Sequence, residues 1–61
     1  MLEVFEFGGR QRVAEVCLFD DGVWRAIVDG SHVLFFEWDR FSSVSFSDCL
    51  LDAWIAEGLN V

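Results

Sequence analysis

Residues 12–28 read RVAEVCLFDDGVWRAIV, two runs of branched and aromatic residues on either side of Asp20-Asp21-Gly22. Such a pattern predicts a β-hairpin, because the Asp-Gly tip supplies the positive φ that a tight reversal needs. With a three-residue loop and Gly22 left-handed, strand alternation sorts the side chains. Ala14, Val16 and Leu18 then share a face with Trp24, Ala26 and Val28. Val13, Glu15, Cys17 and Phe19 lie on the reverse with Val23, Arg25 and Ile27. Both faces therefore carry large apolar groups, and each needs a cover.

Working outward, Leu2–Phe7 ends at Gly8-Gly9 and reads as a first strand. Arg12–Phe19 and Val23–Val28 are the hairpin strands, and Asp29-Gly30-Ser31 leads into a fourth, His32–Asp39. Connections this short join neighbours, so the strands form an antiparallel meander. The side that the fourth strand turns to the hairpin stays open at this point, since one residue of slip reverses it. Beyond it, Ser45 stands as an N-cap three residues before Asp48, and Gly58 stands as a C′ residue. Together they predict a helix over Phe46–Glu57, about 18 Å long. Phe46, Cys49, Leu50, Ala53 and Trp54 form its buried stripe, with Asp48, Leu51, Asp52 and Ile55 on the other side. The expected fold is α+β, one small domain over 1–61: a four-stranded antiparallel β-meander with one C-terminal helix packed on one face. Trp24, Trp54, Leu50 and Val16 are its expected core. One short helix covers one face, which leaves the other for a two-fold homodimer or a protein partner.

Composition narrows the function. Of 61 residues, 54% are apolar and 16% aromatic, too many for a disordered acidic tail. The net charge is −7, with four arginines and no lysine. Such a chain is repelled by nucleic acid and by anionic membranes, so neither is an expected partner. Two cysteines make no disulfide framework, the N-terminus lacks the basic region of a signal peptide, and apolar runs such as Val33–Phe36 cannot span a bilayer. The expectation is a complete small cytoplasmic protein with reduced thiols.

No chemistry-bearing motif survives comparison with its plainer reading. His32, beside the Asp29-Gly30-Ser31 turn, lacks a nucleophile on its own strand face and reads as a solvated hairpin-end residue. Cys17, Cys49 and His32 fall short of a zinc ligand set, and the cysteines read as small hydrophobes. Asp20-Asp21, Glu37/Asp39 and Asp48/Asp52 make no calcium loop, and turn preference explains the aspartates at the tips. Gly8-Gly9 is a turn and not a phosphate loop. Catalytic residues, metal ligands and cofactors are therefore all expected to be none.

The acidity serves solubility on one reading and recognition of a basic surface on the other. In size, charge and architecture the chain resembles the small phage-encoded inhibitors of bacterial defence, the anti-CRISPR proteins. That resemblance rests on no signature residues, so no site is carried over from it. It implies a non-enzymatic inhibitor acting by DNA mimicry on a basic nucleic-acid-binding surface, such as that of a CRISPR effector. Independently, the turns and one strand end single out Asp20, Asp21, Asp29, Glu37 and Asp39 as contact residues, with Arg25 and Arg40 setting register or pairing locally. A toxin-neutralising immunity protein and a small homodimeric adaptor are the alternatives.

Overall fold

The computed structural model describes residues 1–58. Four antiparallel strands form one sheet in sequence order: β1 Leu2–Phe7, β2 Arg10–Asp20, β3 Val23–Val28 and β4 His32–Glu37. One helix, α1, follows at Phe46–Ala56. This is the expected α+β meander, and the differences lie at the ends of its elements. Gly8 and Gly9 have φ of +66° and +74°, the two positive angles of a type I′ turn, so Phe7 pairs directly with Arg10. The second strand therefore starts at Arg10, earlier than Arg12. At its other end Asp20 pairs with Val23, which shortens the loop to Asp21-Gly22. The extra residue is absorbed by an irregularity between Leu18 and Asp20, so Leu18 still faces Trp24. The side-chain faces of the hairpin are those expected.

The fourth strand ends at Glu37, not Asp39. Asp39 Oδ1 accepts the Phe41 amide at 2.8 Å and its carbonyl accepts the Ser42 amide at 2.8 Å, which turns the chain away from the ladder. Trp38 Nε1 donates to the Val44 carbonyl at 2.9 Å and closes this loop. Register pairs Val28 with His32, Ala26 with Leu34 and Trp24 with Phe36. The open question about the fourth strand is thus settled, with Leu34 and Phe36 on the same face as Ala14, Val16, Ala26 and Val28.

Residue size explains where α1 sits. On this face the inner strands offer Ala14, Val16, Ala26 and Val28, all fully buried. The outer strands raise Phe5, Leu34 and Phe36 on either side. The result is a trough of small residues between bulky walls, and α1 lies in it against β1 and β4. Leu50 and Trp54 point down and are fully buried. Trp54 packs on Phe5 of β1 at 5.8 Å between ring centroids and on His32 of β4 at 5.5 Å. From β2 the buried Arg12 lays its guanidinium carbon 4.7 Å from the centre of the same indole. A second aromatic group closes the far end, where Phe46 meets Trp24, Phe36 and Trp38 at centroid distances of 5.0, 5.3 and 5.2 Å.

The cap is as expected at the start, where Ser45 Oγ accepts the Asp48 amide at 3.2 Å. At the end, Glu57 is the C-cap rather than a helical residue, and the Gly58 amide donates to Ile55 O at 3.0 Å. Side-chain bonds tie α1 to both edges: Ser47 Oγ to Glu3 at 3.4 Å and Cys49 Sγ to the Glu37 carbonyl at 3.4 Å. Burial raises the Cys49 thiol above its ordinary range, and the Asp52 carboxylate raises it further. Two expectations need correction. Trp24 is half-buried at the rim, its indole N–H donating to the Trp38 carbonyl at 3.3 Å, because the helix starts beyond it. Leu51 packs against the core rather than facing away, whereas Ile55 stays 48% exposed.

The trough yields a test. Ala26→Leu should overpack the floor and cost about 1–3 kcal/mol. Trp54→Ala should cost about 3–5 kcal/mol, most of the roughly 3–9 kcal/mol that a chain of this length holds. Urea unfolding followed by tryptophan fluorescence and circular dichroism reads both.

Candidate partner-binding surface

Asp20, Asp21, Glu37 and Asp39 converge at one end of the sheet. Register brings this about, because Asp20 pairs with Val23 and Val23 pairs with Glu37, which puts the β2–β3 tip level with the end of β4. The Trp38 amide bonds the Gly22 carbonyl at 3.0 Å and ties Asp39 to the same corner. Two of these carboxylates also hold local backbone: Asp20 Oδ1 accepts the Asp21 amide at 2.8 Å, and Asp39 Oδ1 accepts the Phe41 amide. Each of the two has a second oxygen to offer a partner.

Asp21 and Asp39 line an open depression of about 380 Å³ together with Leu18, Gly22, Trp24, Trp38 and Arg40. Its walls are thus partly indole. Beside it Phe41 is 82% exposed, with the Arg40 guanidinium carbon 4.9 Å from the centre of its ring. Trp38 and Phe41 escaped the sequence reading of the site. Phe41 had one available signal, since an aromatic between Arg40 and Ser42-Ser43 belongs to neither strand alternation nor the helix stripe.

Asp29 does not join this group. It follows Val28, at the opposite end of β3, and its Oδ2 accepts from Arg12 Nη1 at 2.8 Å while Oδ1 accepts the Val13 amide at 3.4 Å. Asp29 also takes the left-handed conformation, φ +52°, in the β3–β4 turn. It is therefore a structural residue that anchors the buried Arg12, not one of the converging carboxylates. Partial desolvation pushes the Asp29 carboxyl upward, but the hydrogen bonds from Arg12 and the Val13 amide, with the charges of Arg12 and Arg10, hold it below its ordinary 3.8.

His32 also lies at the Asp29 end. Its ring packs edge-on against Trp54, and the Ser31 hydroxyl stands 3.4 Å from Nδ1. The strand-alternation argument that separated the two fails because Ser31 precedes β4. Among the described residues no three His, Cys, Asp or Glu side chains gather as a metal site. No described helix is long and apolar enough to cross a membrane.

Comparison with protein-family models, curated proteins and solved structures finds no match to this chain.

The Asp29–Arg12 tie predicts a pH signature. Because the folded carboxyl titrates below the unfolded one, its stabilisation is fully present above the ordinary value of 3.8 and is lost as pH falls through the folded value. Asp29→Asn, which keeps the turn, should melt below the wild type at neutral pH, and that gap should close in acid. Asp29→Ala should melt lower still, since alanine tolerates the left-handed turn poorly. Thermal melts across the pH range check the ordering.

Proposed function

We propose that the protein is a non-enzymatic inhibitor that docks its acidic end on the basic, nucleic-acid-binding surface of another protein in the cytoplasm and so excludes DNA, as anti-CRISPR proteins of the DNA-mimic type do. The observation that supports this most is the convergence of Asp20, Asp21, Glu37 and Asp39 at one corner of the sheet, where Asp21 and Asp39 line a depression walled by Trp24 and Trp38. Carboxylates occupy Lys and Arg sites meant for phosphate, while the indoles and Phe41 supply apolar contact area of the kind found at binding hot spots. The net charge of −7 adds long-range attraction to a cationic partner.

Replacing Asp20 and Asp21 together by Asn tests this reading, since Asn tolerates the same turn and can accept the same amide bond. Captured from the source cell and identified by mass spectrometry, the partner should associate about tenfold more slowly with the Asn variant at low salt. Added salt should slow the wild type towards the same rate, with dissociation changing less. Ile55→Glu, on the far side of α1, should leave binding unchanged. A partner indifferent to salt and to the Asp pair, but lost on Ile55→Glu, would sink the mimic reading.

A further inference from the structure

The sheet face turned away from α1 is the largest feature that the acidic end leaves unexplained. Leu2, Val4, Val13, Phe19, Val33 and Phe35 stand on it, each between 46% and 69% exposed, with Ile27 half-buried among them. They are contiguous: register lines up Leu2, Glu15, Ile27 and Val33 in one row and Cys17, Arg25 and Phe35 in the next. Phe19 and Phe35, from the strands on either side of β3, touch at 5.1 Å between ring centroids. Their rings meet across the strand that carries Arg25.

Arg25 identifies the occupant. It is half-buried, and its Nε is fully buried with no hydrogen-bond partner among the described residues. Carboxylates flank it on the same face, Glu15 in the adjacent row and Glu37 beyond Phe35. The surface thus carries a cation and anions side by side in an apolar field. A two-fold interface is self-complementary, so each such pair is made twice. An axis lying in the interface and crossing the strands between the two rows sets the Arg25 row of one copy over the Glu15 row of the other. Phe35 then meets the partner's Val33.

Area agrees. Strands 4.8 Å apart and rising about 3.4 Å per residue give a face of roughly 20 by 20 Å, which with its side-chain relief presents on the order of 600 Å². That approaches the roughly 800 Å² per partner of a standard interface. Sheets pack face to face about 10 Å apart at about −30°, a separation that an arginine and a glutamate bridge together. We propose that this face is a self-association surface on which a second copy of the chain packs about a two-fold axis, with Arg25 of each copy paired to Glu15 of the other. It involves none of the carboxylates whose loss tests the acidic end.

Sedimentation velocity and light scattering on the intact chain test it. The wild type should run at twice the 7.0 kDa chain mass at tens of micromolar. Arg25→Glu and Glu15→Arg should each weaken the dimer by about thirtyfold or more, and combining the two reversals should restore it. Phe35→Glu should give a monomer, and Cys17, exposed on this face, should react with iodoacetamide faster in every monomeric variant than in the dimer. Circular dichroism checks that each variant is folded, and a variant that unfolds is replaced by Arg25→Gln or Val33→Glu. A wild type that stays monomeric at hundreds of micromolar would overturn the proposal. So would a dimer untouched by Phe35→Glu, or single reversals that the double reversal does not rescue.

Discussion

The fold depends on one indole. Trp54 is the last buried side chain of α1, and it reaches β1 through Phe5, β2 through Arg12 and β4 through His32. A two-stranded ribbon holds itself only marginally in water, and a sheet gains independent stability when its apolar face is packed. Here that packing comes from a side chain that joins both edges across a floor of alanine and valine. The small residues are as necessary as the large one, because bulk at 14 or 26 would lift the helix from the trough. Arg12 under the indole adds a constraint of its own. Its buried charge requires the Asp29 carboxylate, which in turn settles the conformation of the β3–β4 turn.

With α1 committed to one side, the rest of the molecule's surface divides by geometry. The second sheet face remains bare and apolar, with its charges set into it singly. The strand ends collect the turns, and because hairpins alternate, the β2–β3 tip and the end of β4 share a corner. That corner collects acids for a local reason, since aspartate suits turns, and the summed result is a negative rim over two tryptophans. The apolar face and the acidic corner meet at Glu37, which stands on the face beyond Phe35 and at the strand ends with Asp20.

Much of the architecture was legible because its signals are local. Gly8-Gly9, Asp21-Gly22 and Asp29-Gly30 punctuate the strands, and the stripe Phe46, Cys49, Leu50, Ala53, Trp54 has helical spacing. Faces of the central hairpin followed from alternation even though the loop is one residue shorter, since the bulge at Phe19 preserves the parity. Other features were illegible because they depend on pairs distant in sequence. Nothing near Asp29 announces that Arg12, seventeen residues earlier, will claim it, so an acidic turn residue looked like a contact residue. The side taken by Leu34 and Phe36 needed the register of β4, and the half-exposure of Trp24 needed the position at which α1 begins. As for chemistry, among the described residues His32 and the two cysteines join no group of three His, Cys, Asp or Glu side chains.

The placement of α1 also bears on how the chain becomes a protein. Its sheet is built from neighbours in sequence, and each hairpin can close soon after its second strand appears. The helix, however, packs on β1, some forty residues earlier in the chain. Until α1 docks, the hairpins stand with both faces of the sheet uncovered, and the trough is filled only when Trp54 packs into it. For that interval the nascent chain displays Phe5, Leu34 and Phe36 on one side and Phe19 and Phe35 on the other. A species of that kind invites pairing with other chains. The net charge of −7 acts against such pairing, since like-charged chains repel one another.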